Sequence, residues 1–310
     1  MTSQEILQKE KFTKDEFKTL LNDIHKISCL DFVKKLPDNC IDIVVTSPPY
    51  NMGNVDRSEN PKRPKVEFDE KKSLNRDNNP LFGEGYADFD DCLPHSVYVK
   101  QQRTLLKELT RALTDEGAIF YNTKWRNYGG EVEMLHDILA GFCVRQVIIW
   151  SAFTSLCWND RMFAPRYEVI YFITKNNIAH GNNTKLTKEG TNYGDIWTFG
   201  RETNNPHPAP FPIDLPYYAI KSIDNHGRRM VVYDPYMGSG TTAVAADCMG
   251  YDYIGTDLTD SYIEMAKKRL ELNKIHPESK NLFNNRTEQA KRFKEFNTNA
   301  TKVNVKKIDL

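Results

Sequence analysis

The sequence has no long apolar run, no surplus charge of either sign and no paired cysteines, and each absence closes off a class of protein. No stretch approaches the roughly 20 consecutive apolar residues of a bilayer-spanning helix, so no membrane span is expected. The opening MTSQEILQKEKF is charged and lacks the apolar core of a secretory signal. The six cysteines (29, 40, 92, 143, 157 and 248) form no CxxC pair and none stands beside a histidine at metal-ligand spacing. Neither a zinc site nor a disulfide framework is therefore expected, and incidental or buried thiols in a reducing compartment fit better. Lys+Arg and Asp+Glu number 42 each, so no global field draws in nucleic acid and any basic surface must be local.

What is present is an alternation of strands and helices across 310 residues. After a charged, helical lead-in over 1–22, strands are expected at 24–27, 41–45, 118–121, 144–150, 167–173, 230–233 and 253–256. Helices are expected at 30–36, 96–113, 131–140, 213–225, 241–249 and 261–272. β-branched apolar runs between helical patterns predict an α/β fold with a mostly parallel seven-stranded sheet and helices on both faces. Residues 51–95 and 175–206 are polar and Asn-rich with little periodicity, and read as long loops. The chain is thus divided into a domain over 1–272 and a polar tail over 273–310. That tail carries nine Lys/Arg against four Asp/Glu, suited either to solvation or to a nucleic-acid backbone.

Two loops carry chemistry. The first is Asp234-Pro235-Tyr236-Met237-Gly238-Ser239-Gly240-Thr241-Thr242, a Gly-rich turn between a strand and a helix. Glycines allow positive φ and close backbone approach, and the helix start offers N–H groups to a polar ligand. Asp257 ends the next strand, 19 residues after Gly238, where a carboxylate can accept from both ribose hydroxyls of an adenosine cofactor. No lysine follows the second glycine, so this is not a triphosphate loop. A lone Gly-x-Gly would be only a tight turn; the strand, turn, helix and acid together point to a cofactor site.

The second loop is Ser47-Pro48-Pro49-Tyr50, where two prolines stop the apolar strand that ends before it. Pro-Pro alone would mark a rigid surface loop. Here proline fixes the direction of the Pro48 carbonyl, Ser47 offers a hydroxyl and Tyr50 a flat face. A nucleobase amine is a poor nucleophile, because its lone pair is delocalised into the ring. Hydrogen bonds from its two N–H groups to Ser47 Oγ and Pro48 C=O would aim that pair at a methyl sulfonium. Tyr50 could stack on a base flipped out of a duplex, an interaction worth about 1–3 kcal/mol. Methylation at carbon 5 would need a cysteine nucleophile in a Pro-Cys loop, and no proline precedes a cysteine here.

Taken together the two loops resemble the β class of DNA amino-methyltransferases, in which the Ser-Pro-Pro-Tyr motif precedes the glycine motif, a circular permutation of the usual order. His207-Pro208-Ala209-Pro210-Phe211-Pro212 resembles the family's cofactor-side segment, residues 166–172 its late strand, and Gly255-Thr256-Asp257 with Tyr262 its ribose-binding motif. The resemblance implies a Rossmann-like methyltransferase fold and S-adenosyl-L-methionine as cofactor. It implies cofactor contacts from Asp234, Pro235, Gly238, Ser239, Gly240, Thr241 and Asp257, with His207, Pro208 and Phe211 as a wall. Catalysis falls to Ser47, Pro48, Pro49 and Tyr50, with no metal. Ser28 stands where the family often has Asp, a departure at the adenine end of the site.

A first-position Ser resembles members acting on cytosine N4, whereas adenine-N6 members mostly carry Asp or Asn. Alternatives are adenine N6, an RNA base or protein glutamine as acceptor, or a non-catalytic DNA-binding subunit. The resemblance further implies double-stranded DNA as partner and a prokaryotic or phage cytoplasm. It leaves open a homodimer and a restriction-endonuclease partner. Target recognition is expected over 175–206, shared with the loop 51–95 and its Lys62, Arg63, Lys65 and Arg76. The four tryptophans, Arg161 and Arg166 are expected to be structural or solvated rather than functional.

Overall fold

The computed structural model describes residues 1–51, 93–128, 131–152, 163–176, 181, 183–202, 207 and 210–275. Most of the 51–95 loop and of the basic tail lies outside these residues. The chain opens with helices α1 (Ser3–Gln8) and α2 (Lys14–Lys18), strand β1 (Asp23–Lys26), helix α3 (Cys29–Lys35) and strand β2 (Ile41–Thr46). Helix α4 (His95–Ala112), β3 (Leu113–Thr123), β4 (Arg126–Tyr128), β5 (Glu131–Glu133) and α5 (His136–Leu139) follow. Then come β6 (Cys143–Ser151), β7 (Tyr167–Thr174), α6 (Lys188–Tyr193) and β8 (Ile196–Thr198). The described chain ends with α7 (Asp214–Ser222), β9 (Val231–Asp234), α8 (Thr241–Cys248), β10 (Asp252–Asp257) and α9 (Asp260–Ile275).

Side chains along the central strands alternate between two apolar cores, one on each face of the sheet. Ile119 and Tyr121 of β3, with Val169, Tyr171 and Ile173 of β7, join Phe32, Leu105, Leu106 and Leu109 from α3 and α4. Ala118, Phe120, Ile170 and Phe172 join Leu215, Ala219, Ala243 and Ala245 from α7 and α8 on the other face. Period-2 alternation with both faces covered produces the near-continuous apolar runs seen in the sequence. Helix α4 buries Tyr98, Gln102, Leu105, Leu106, Leu109 and Ala112, one stripe of a 3.6-residue period. The lead-in is held by capping boxes, Thr2 with Glu5 and Thr13 with Glu16.

The main sheet has eight strands in the order β1-β10-β9-β2-β3-β7-β6-β8, one more than expected. Only the pairings of β7 are antiparallel, so this strand runs against the other seven. The additional strand, β8, pairs in parallel with β6 through Trp150 opposite Trp197. It has three residues and lies in a polar segment, too short for a periodic signal. A second correction concerns 131–140, expected as one helix. Residues 131–133 instead pair with 126–128 as an antiparallel ribbon, and only His136–Leu139 is helical. In the sequence, Gly129-Gly130 between two short runs is a hairpin signal.

The expected recognition segment is anchored to the body of the protein. Gly190 of α6 lies against α7 so closely that an added Cβ would sit 2.6 Å from Ser222 Cα. The Thr187 amide donates to Ser222 O at 2.8 Å beside it. Gly190→Ala forces backbone apart from backbone and is expected to cost about 1–3 kcal/mol. A lowered denaturant midpoint at unchanged slope checks this; an unchanged midpoint would show that α6 and α7 separate freely.

Candidate active site

Adjacency of β2 and β9 sets the site. Ile43 and Val44 pair in parallel with Val232 and Tyr233, so both strands finish at the same sheet edge. From β9 the chain proceeds to β10 on one side, and from β2 to β3 on the other. A crevice at such a reversal of strand order is where open α/β sheets bind ligands. Here it is a solvent-open cleft of about 1040 Å³, bounded by the Ser-Pro-Pro-Tyr loop, the glycine loop and the turn after β10.

The glycine loop is built for close approach. Gly238 and Gly240 have φ of 50° and 81°, and an added Cβ on Gly238 would lie 2.9 Å from His207 Nε2. Asp257 fixes the loop, its two oxygens accepting the Gly238 N–H at 2.8 Å and the Thr259 N–H at 2.9 Å. Arg269 of α9 donates through Nη1 to Ser239 O at 2.7 Å, Ser239 Oγ at 3.0 Å and Thr241 Oγ1 at 3.0 Å. Asp234 is fully buried beneath the loop, accepting from Thr242 Oγ1 at 2.7 Å and from the Tyr236 N–H at 3.0 Å. Burial pushes its carboxyl up to about 7 despite those donors.

Of the residues expected to touch cofactor, Pro235, Gly238, Ser239, Thr241, Asp257, His207 and Phe211 line the cleft. Asp234 and Gly240 are not among the lining residues, and shape the loop from below. Pro208 lies outside the described residues. Ser28 and Cys29, at the start of α3, line the cleft with Ile27 and Leu30. Burial raises the Cys29 thiol to about 12, so it is not a thiolate nucleophile at neutral pH. Among the described residues no three His, Cys, Asp or Glu side chains converge on a metal position. None of the described helices is long and apolar enough to cross a membrane.

The second loop abuts the first, with Ser47 and Pro49 lining the same cleft. Pro49 is fixed by the buried Tyr98, whose hydroxyl donates to its carbonyl at 2.9 Å. Among the described residues no hydrogen bond to the buried Pro48 carbonyl is formed. The Tyr50 hydroxyl lies 2.8 Å from Ser47 Oγ and donates to Glu168 Oε2 at 3.0 Å. Asn122 Nδ2 donates to Tyr50 OH at 2.9 Å, to Glu168 Oε2 at 2.9 Å and to Ser47 Oγ at 3.3 Å. Asn122, Glu168 and Arg269 escaped sequence reasoning. The available signal for the first two was a lone polar residue inside each of two apolar strands, AIFYNT and YEVIYFIT.

A Rossmann-like sheet with a glycine loop, a ribose-type acid and an amine-type acceptor loop at one edge defines a methyltransferase class of fold. The DNA methylase family model of the N6/N4 type matches residues 41–268, and the chain belongs to that family of S-adenosylmethionine-dependent DNA amino-methyltransferases. The chain is 25% identical over 256 residues to type II methyltransferase M.HpaI of Haemophilus parainfluenzae, covering 77% of this chain and 71% of that one. It is also 25% identical over 281 residues to M1.MboII of Moraxella bovis, covering 82% and 99%. The PvuII DNA methyltransferase (cytosine-N4-specific) has a similar fold, at TM-score 0.57 and 16% identity over 79% of this chain and 84% of that one. TTHA0409 of Thermus thermophilus, solved in complex with S-adenosyl-L-methionine, matches at TM-score 0.51 and 21% identity over 80% and 94%.

His207 supplies a pH handle. It is 8% exposed, its ring centroid lies 4.4 Å from that of Tyr262, and burial holds its imidazole down at about 4 rather than 6.5, with Arg269 adding to the effect. The unfolded chain binds this proton near pH 6.5 and the folded chain only near 4. Stability from this group is therefore complete above 6.5 and lost as pH falls toward 4, on the order of 3 kcal/mol in full. Melting temperature followed across that window is expected to fall less steeply for His207→Gln than for the parent. Parallel curves would show that His207 is not held neutral.

Proposed function

We propose that the chain methylates the exocyclic N4 amine of cytosine in double-stranded DNA at a specific sequence. The observation that carries this reading is Ser47, a small hydroxyl acceptor lining the cleft beside the glycine loop. A flipped cytosine at this edge presents two N–H donors, one for Ser47 Oγ and one for the Pro48 carbonyl. Drawing on both pulls the lone pair out of the ring. The Tyr50 ring supplies a stacking face, and Pro49, locked by Tyr98, holds the loop still. Positioning and desolvation then account for the rate without a covalent enzyme intermediate. Adenine-N6 members of the family mostly carry Asp or Asn where Ser47 stands, which favours cytosine.

The residues around the cleft fit S-adenosyl-L-methionine. Asp257, pinned by two amides, keeps lone pairs for ribose hydroxyls, and the Gly238 cradle admits a ligand where a Cβ would meet His207. Phe211, Tyr262 and Ile27 offer apolar walls to the adenine and methionine portions. When bound, the cofactor supplies an electrophilic methyl group on a cationic sulfur. Relatives named as type II methyltransferases support a role in site-specific modification, alongside a restriction endonuclease.

The test is chemical. DNA methylated in vitro is digested to nucleosides and the modified one identified, with Ser47→Ala as control. N4-methylcytosine is expected from the parent protein, with transfer reduced at least about 100-fold in Ser47→Ala. N6-methyladenine as the sole product would overturn the choice of base.

A further inference from the structure

Glu168 is the second residue of an otherwise apolar strand, where an ionisable group is retained only if its partners offset its desolvation. Its side chain is 12% exposed. Arg201 Nη1 approaches Oε1 no closer than 3.9 Å, whereas Tyr50 OH and Asn122 Nδ2 both donate to Oε2. Among the described residues, Tyr50 from the loop after β2 and Arg201 from the loop after β8 are the titratable or charged groups facing it.

The directions of these hydrogen bonds follow from the chemistry. Asn122 must present its NH2 group, because it faces three oxygens of Ser47, Tyr50 and Glu168. Tyr50 spends its proton on Glu168, so its oxygen can only accept from Ser47. Ser47 thereby has its proton turned inward and, with one lone pair facing Asn122 Nδ2 at 3.3 Å, keeps the other for an acceptor role in the cleft. That is the state an acceptor of an amine N–H requires.

We propose that Glu168 is a positioning residue for this reaction and the final acceptor of the proton that the methylated amine must release. The proposal rests on the reading that Ser47 receives an exocyclic amine. As the nitrogen–carbon bond forms, the sulfur–carbon bond breaks and its electron pair stays on sulfur, leaving a neutral thioether and a nitrogen with one proton too many. That proton passes to Ser47 Oγ, the Ser47 proton to the Tyr50 oxygen, and the Tyr50 proton to Glu168 Oε2. Every atom balances without a metal or a second base, and the carboxylic acid returns its proton to water after product release.

The experiment compares parent, Glu168→Gln, Tyr50→Phe and the double variant in single-turnover methyl transfer to duplex DNA across pH. Cofactor affinity is followed by calorimetry and base extrusion by 2-aminopurine fluorescence. Glu168→Gln is expected to slow transfer at least about 100-fold at neutral pH and to abolish the limb that rises with carboxylate ionisation. Cofactor affinity and base extrusion should stay within about twofold of the parent. Tyr50→Phe should remove the same limb, and the double variant should be no slower than the slower single one. A Glu168→Gln rate within about threefold of the parent, with an unchanged pH profile, overturns the relay. So does a loss of rate that merely tracks lost cofactor affinity. Should Glu168→Gln fail to fold, a Tyr50→Phe profile that keeps the limb overturns it equally. A parent protein that methylates no base amine would instead sink the amine reading, which separates the two failures.

Discussion

The parallel pairing of β2 with β9 is the contact on which the rest depends. Gly238 lies 191 positions after Ser47 in the chain, yet Val44 opposite Tyr233 brings their loops to one edge. Both strands are almost wholly buried, so neither loop can drift relative to the other without opening a core. Thr242 at the start of α8 strengthens the seam, its hydroxyl lying 3.4 Å from the Val45 carbonyl of β2 and 2.7 Å from Asp234 Oδ2 at the end of β9. What matters for chemistry is adjacency in the sheet rather than order in the sequence. The permuted order of motifs therefore leaves the site intact, at the cost of a long-range closure during folding.

Electrostatics around this seam suit a cationic methyl donor. Asp257 faces the cleft with its side chain seated by two backbone amides. The half-buried Arg269 is turned onto Ser239 and Thr241 and stiffens the turn. His207, which would add positive charge, is kept neutral by burial and by Arg269. Tyr236 and Tyr121 have no charge to contribute, since burial pushes both phenols well above their usual range. Among the described residues, the cleft thus sets no unpaired cation of its own against a sulfonium.

The central strands and the two catalytic loops were legible because their signals are local. Ile41–Thr46 and Val231–Asp234 are β-branched or apolar runs cut off by proline or glycine. β8 was not legible, since Ile196–Thr198 gains its strand identity only from Trp197 lying beside Trp150. The ribbon over 126–133 was lost to a helical reading of a mixed sequence that two glycines should have interrupted. Asn122 and Glu168 were hidden for a different reason. Apolar periodicity identifies their strands, and a single polar residue does not disturb that pattern. A polar group in a strand buried on both faces carries a desolvation cost, and its presence is itself a signal of use.

The reversed direction of β7 explains how such a carboxylate reaches the site. Parallel strands such as β2, β3 and β9 deliver their last residues to the ligand edge, and Asn122 is the next-to-last residue of β3. A strand running the other way delivers its first residues to that edge. Glu168 is the second residue of β7, and Asn122 pairs with Ile170 two positions further on. A parallel strand in that place would have put residue 168 at the opposite end of the sheet, a strand length of roughly 20 Å from Tyr50. Reversal of one strand lets the beginning of β7 meet the ends of β2 and β3, and a polar cluster from three strands closes around one serine hydroxyl.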